Sequence, residues 1–131
     1  MVRKFALAVG AIFLAVGVLG FVPGVTTPEG MLFGVFAVDA VHNLVHLIVG
    51  ALGIAAYYWD RARLYCQALG IFYLVVGVLG FIPALLFGDG MLLGLFHVNV
   101  ADNLLHLIVG AAAAYLGFAP QFRGRPVTPA H

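Results

Sequence analysis

"HNLVHLIVG", residues 42–50, is answered sixty residues later by "DNLLHLIVG", residues 102–110. Each stretch opens on polar side chains and continues as an uncharged apolar run. Their surroundings match as well: "GVLGFVP" (17–23) meets "GVLGFIP" (77–83), and "GMLFGVF" (30–36) meets "GMLLGLF" (90–96). Between residues 10–51 and 70–111, 23 of 42 positions are identical without a gap, which marks an internal duplication.

With 64% hydrophobic and 8% charged residues, the chain is far from a soluble globular composition. Four apolar runs, at about 5–22, 40–59, 64–86 and 100–119, are long enough to cross a bilayer. Pro83 breaks the third, so its helix is expected to end near there. The pattern predicts an all-α integral membrane protein of four transmembrane helices. Its two tandem hairpin repeats would occupy residues 1–60 and 61–119, followed by a cytoplasmic tail at 120–131. A unit with an even number of spans inserts the same way each time. A pseudo-two-fold axis along the membrane normal is therefore expected.

Charge placement predicts orientation. Arg3 and Lys4 precede the first span, Arg61 and Arg63 lie between the second and third, and Arg123 and Arg125 follow the fourth. The two opposite loops carry Glu29 and Asp89 without Lys or Arg, so the positive-inside rule puts both termini in the cytoplasm. The start of the chain imitates a signal peptide, but no A-x-A-like site follows its apolar run. The segment also recurs internally, so it is expected to remain as a span. The sparse arginines make no nucleic-acid-binding patch. Cys66 is the single cysteine, which rules out an intramolecular disulfide and paired-thiol chemistry.

After Pro23 and Pro83 come glycine-containing turns and apolar pieces too short to span, "MLFGVFAV" (31–38) and "MLLGLFHV" (91–98). These read as interfacial or re-entrant segments on the outer side. At 100° per residue, Asp39, His42, Asn43, His46, Gly50 and Gly53 share one face of the second span. Asn99, Asp102, Asn103, His106, Gly110 and Ala113 share the corresponding face of the fourth. Small residues allow close helix approach in a membrane and polar ones bond across it, so both stripes should face inward. Gly10 and Gly17, with their copies Gly70 and Gly77, give the other two spans matching notches.

Three chemistries suit the cluster Asp39, His42, Asn43, His46, Asn99, Asp102, Asn103 and His106. The first is structural: Asp39 and Asn99 as helix N-caps, the asparagines as interhelical glue, and neutral histidines bonded to each other or to Tyr73. The second is a ligand set. His42 and His46, four apart on one face, reach one metal ion, and His106 with Asp102 completes three imidazoles and a carboxylate. Alternatively, His46 and His106 ligate a haem iron from opposite sides. The third is proton or ion conduction through the imidazoles. The inner halves of both stripes, however, offer only glycine and alanine. His97 replaces Ala37 of the first copy and reads as an interfacial residue. No catalytic residue set is legible.

With "FAVDAVHNLVHLIVG" (36–50) and "FHVNVADNLLHLIVG" (96–110) in view, the chain resembles a family of small four-span bacterial membrane proteins labelled as a domain of unknown function. The shared feature is F-x-V-[ND]-x-x-[HD]-N-x-x-H-L, present in both halves. The resemblance implies a four-helix fold and a bacterial membrane location, with no established activity. The residues then point to a non-enzymatic membrane component built around the polar cluster. It would be an accessory subunit beside other membrane proteins, or a homo-oligomer.

Overall fold

The structure, a computed structural model, describes residues 1–120; the tail assigned to 120–131, with Arg123, Arg125 and His131, lies outside them except for its first residue. Four helices dominate: α1 (Val2–Leu19), α2 (Ala40–Tyr58), α3 (Ala62–Leu79) and α4 (Val100–Phe118). All four are long and apolar enough to cross a membrane. The chain is thus an all-α membrane protein of four spanning helices.

Two prolines decide where the odd-numbered helices stop. A proline ring clashes with the carbonyl four residues back, and its missing N–H breaks the ladder. Pro23 and Pro83 stand four residues beyond Leu19 and Leu79, the last residues of α1 and α3. The third apolar run, read as 64–86, therefore yields a helix that ends seven residues before the apolar stretch does. It continues as a short 3-10 turn, Pro83–Leu85.

The connections after Pro23 and Pro83, expected as interfacial or re-entrant pieces, contain small antiparallel hairpins. β1 (Met31–Leu32) pairs with β2 (Phe36–Ala37). In the second half, β3 (Leu86–Phe87), β4 (Met91–Leu92) and β5 (Phe96–His97) form a three-stranded sheet. Sequence periodicity hides such two-residue strands. The tight turns show in Phe33 (φ 53°) followed by Gly34 (φ 69°), and Leu93 (φ 52°) followed by Gly94 (φ 70°). Consecutive positive φ values suit the twist of a tight hairpin.

Helices pack mainly as α1 on α2 and α3 on α4. A Cβ built on Gly10 would lie 2.8 Å from the backbone nitrogen of Ile54 and 2.9 Å from the Gly50 carbonyl oxygen. The two backbones thus touch where side chains would hold them apart. Gly17 meets Leu47 as Gly77 meets Leu107. At the other end, Arg3 donates to the Tyr57 carbonyl (3.1 Å) and Arg63 to the Gly117 carbonyl (3.0 Å), each satisfying the last turn of the next helix.

The halves cross at the end where α2 and α4 begin. β2 lies against α4, and β5 against α2. Asp102 Oδ2 accepts the Ala37 N–H at 2.9 Å, Asp39 Oδ2 accepts the His97 N–H at 2.7 Å, and Asn99 donates to the Val35 carbonyl at 2.8 Å. Each helix start is therefore roofed by the other half's hairpin.

Candidate metal centre

The buried face of α2 consists of His42, Asn43, His46, Gly50, Gly53 and Ala56; that of α4 of Asp102, Asn103, His106, Gly110, Ala113 and Gly117. Both begin polar at the roofed end. Asp39 caps α2 by accepting the His42 N–H, and Asn99 with Asp102 forms a reciprocal capping box on α4. These caps fix the first turns, and so the direction in which His42 and Asp102 project.

His46 and His106 are each the seventh residue of their helices, about 10 Å in from the first turn at 1.5 Å per residue. Among the described residues, His42, His46 and His106 come together, each offering a ring nitrogen within 4.8 Å of the others. Ring centroids lie 4.5 Å apart for His42–His46, 5.7 Å for His42–His106 and 6.3 Å for His46–His106. All three are buried, at 2%, 7% and 2% exposure. A cavity of about 10 Å³ is bordered by all three, together with Val45, Phe72, Tyr73, Val76 and Phe96.

Hydrogen bonding fixes the state of His42. Its Nδ1 faces the carbonyl oxygens of Ala37 (3.0 Å) and His97 (2.8 Å). Carbonyls only accept, so Nδ1 carries the proton and the lone pair of the neutral ring sits on Nε2. That Nε2 has no partner, nor have His46 Nδ1, His46 Nε2 or His106 Nδ1. Unpartnered polar atoms in a membrane interior are costly, and buried ones ordinarily are paired.

Two aromatic residues complete the walls. Phe13 stacks on His46 at 5.2 Å and on Tyr73 at 5.2 Å, while Tyr73 packs on His106 at 4.9 Å. Of the structural alternatives, His46 and His106 bond neither each other nor Tyr73 among the described residues, and the Tyr73 hydroxyl is buried without a partner. Phe13 and Tyr73 are equivalent positions of the two repeats, a signal legible in the sequence but easily taken for ordinary core.

The other polar residues have different employment. Asp102 stands outside the triad: one oxygen, Oδ2, accepts the N–H groups of Ala37 and Asn99 at 2.9 Å each. It still shares a second cavity, of about 60 Å³, with His46 and His106. Asn103 donates to the Gly80 carbonyl at 2.8 Å, and a Cβ on Gly80 would collide with that amide. Asn43 packs against Gly20, where an added Cβ would likewise collide with the amide. Asparagine thus joins each helix pair rather than facing the imidazoles.

Asp39 and His97 form a pair across the halves, Nδ1 to Oδ2 at 3.0 Å. Burial pushes the Asp39 carboxyl up. The backbone N–H groups of His42 and His97, together with the His97 ring, outweigh this and hold it below its ordinary value. His97 therefore contributes to the roof, with its ring on Asp39 and its carbonyl on His42.

No curated protein and no solved structure matches the chain. The model of the family described as Domain of unknown function (DUF4383) matches residues 3–119, and the chain belongs to that family.

Proposed function

We propose that this protein holds one d-block metal ion inside the membrane, ligated by His42, His46 and His106. The observation that carries the reading is the convergence of three buried imidazoles, with ligand atoms within 4.8 Å, each of which has at least one ring nitrogen without a partner. Nitrogen ligands about 2.0–2.1 Å from one ion sit roughly 3.4 Å apart, so modest side-chain rotations close the set. The donation of His42 Nδ1 to carbonyls is the outer-partner arrangement that orients a metal-bound imidazole.

Imidazole ligands suit copper, zinc, iron and nickel. The low-dielectric setting favours the smallest charge, since the cost of burying an ion rises with the square of its charge. Three neutral imidazoles supply no charge, and Asp102 supplies one at the neighbouring cavity, so copper(I) fits best. A haem is disfavoured on size: the cavities beside the histidines are about 10 and 60 Å³, whereas sites for molecules of that class occupy about 300–1,000 Å³. Conduction is disfavoured because the buried faces continue inward as Gly50, Gly53 and Ala56, and as Gly110, Ala113 and Gly117.

In this reading the protein is a non-enzymatic metal-holding component of a bacterial cytoplasmic membrane, serving as an accessory subunit of a larger complex. Both termini are cytoplasmic and the cluster lies near the outer face. Two hairpin units, 1–60 and 61–119, are related by an axis along the membrane normal.

The test is elemental analysis of gently purified protein beside the His46→Ala/His106→Ala double variant. Near-stoichiometric copper or zinc that disappears in a folded variant supports the reading. Metal at background in both samples, before and after incubation with copper(I) or zinc, overturns it.

A further inference from the structure

The two connections are built to one plan. Each has a turn with an acidic residue, Glu29 in the first and Asp89 in the second, followed by a hairpin tip without a polar side chain, Phe33-Gly34-Val35 or Leu93-Gly94-Leu95. Turns that meet water ordinarily carry Gly, Pro, Asn, Asp and Ser. These tips instead expose large apolar side chains: Phe33 at 57%, Val35 at 48%, Leu93 at 47% and Leu95 at 57%. In the second half Phe87, near Asp89, is exposed as well, so the division is cleanest in the first hairpin.

The main chain of the tips is suited to hydrocarbon. The N–H groups of Phe33, Gly34 and Val35 donate to the carbonyls of Val25 (2.9 Å), Met31 (3.1 Å) and Leu32 (3.0 Å). Those of Leu93, Gly94 and Leu95 donate to Leu85 (2.8 Å), Met91 (3.2 Å) and Leu92 (2.9 Å). The Val35 carbonyl accepts from the Asn99 side chain. Irregular backbone is tolerated at membrane depth only where the protein satisfies its polar groups, and neither tip has an N–H that needs water.

Phe33 borders a cavity together with Ile12 of α1. Ile12 is 59% exposed on a spanning helix and stands seven residues before Leu19, about 10 Å in from the helix end at 1.5 Å per residue. The tip is thus continuous with the lipid-facing side of α1. Helix length points the same way. The 18 residues of α1 and 19 of α2 give roughly 27–29 Å, slightly short of a hydrocarbon core of ~30 Å. Apolar tips at the end where α2 and α4 begin make up the difference. Exposed apolar patches also mark protein interfaces, but the continuity with Ile12 favours lipid as the occupant.

We propose that the tip at 33–35, and with it its copy at 93–95, is embedded among the acyl chains of the leaflet at that end, with Glu29 and Asp89 turned to the headgroups and water. The hairpins then anchor the roof over α2 and α4 in the bilayer, whether or not the histidines beneath it hold an ion.

The test uses the full chain with its single tryptophan removed (Trp59→Phe), reconstituted in phosphatidylcholine vesicles. Phe33→Trp and, as a control, Glu29→Trp are compared for fluorescence quenching by brominated acyl chains and by iodide present on both sides. For an insertion depth of about 5–10 Å, brominated chains should quench Phe33→Trp at least about twofold, and iodide should quench it about fivefold less than Glu29→Trp. Val35→Trp serves as the second variant should Phe33→Trp fail to fold. Tip tryptophans quenched by iodide as strongly as Glu29→Trp, and not by brominated chains, overturn the proposal and leave the tips in water, open to another protein. Tip tryptophans shielded from both quenchers overturn it too, since they would be packed on the protein itself.

Discussion

The ring of His42 is anchored by the opposite half of the molecule: its Nδ1 donates to the backbone carbonyl of His97, 55 residues away, at 2.8 Å. The carbonyl is presented by β5, which lies against α2. The second repeat's hairpin thereby selects the tautomer of a histidine in the first, and turns its free Nε2 away from the carbonyls.

That anchoring uses the main chain of His97, so removing its side chain should leave the cluster in place. We expect His97→Ala to keep its metal within about threefold of the wild type. His42→Ala should lose more than the ~10–100-fold that follows loss of an outer partner. Competition with a chromogenic chelator checks both. Equal losses in the two variants would show that the His97 ring, not its carbonyl, sets the site.

The Asn103 amide bonds the Gly80 carbonyl in a buried position, and Gly80 has no room for a side chain. Gly80→Ala should therefore lower stability by about 1–3 kcal/mol, the usual range for overpacking. Asn103→Ala should cost about 1–3 kcal/mol by leaving the carbonyl unpaired. In the double variant the methyl occupies the space the amide vacated, so its loss should be clearly smaller than the sum of the two. Unfolding in a graded detergent series measures the cycle, and strict additivity would argue against the contact.

Gly10 meets the backbone of α2, not a flexible side chain that could move aside. Gly10→Ala should cost about 1–3 kcal/mol. Ala11→Val, one residue along on the exposed face, should change stability by no more than about 0.5 kcal/mol. Thermal unfolding in the same detergent compares them. Similar midpoints would mean that α1 and α2 are packed more loosely than their geometry implies.

Orientation can be read by cysteine labelling in a background where Cys66 is replaced by Ala. We expect Glu29→Cys and Asp89→Cys to react with a membrane-impermeant maleimide in intact cells. Arg61→Cys should react only after permeabilisation. The opposite pattern would invert the topology and move the histidine cluster to the cytoplasmic side.

Much of this protein is legible as pattern. The four spans follow from apolar length alone, because a bilayer interior leaves few alternatives to a helix of about 20 residues. The N-caps Asp39 and Asn99 are readable for a similar reason: the bond from cap side chain to the N–H three residues on is local. The ends of α1 and α3 were only approximately readable, although Pro23 and Pro83 fix them sterically at Leu19 and Leu79. The hairpins were not readable, since two-residue strands carry no periodicity and their pairing is a matter of turn geometry.

The site divides along the same line. The sequence by itself determined that His42 and His46 share a face of α2, and that His106 repeats His46, because helical spacing is a property of one segment. Only the tertiary structure decided that the three rings converge while Asp102 is drawn off by the N–H groups of Ala37 and Asn99. It alone placed Phe13 and Tyr73 as the walls. Those choices depend on how closely Gly10 and its counterparts let the helices approach, and on which half's hairpin roofs which helix. Both are relations between segments far apart in the chain, and no local period records them.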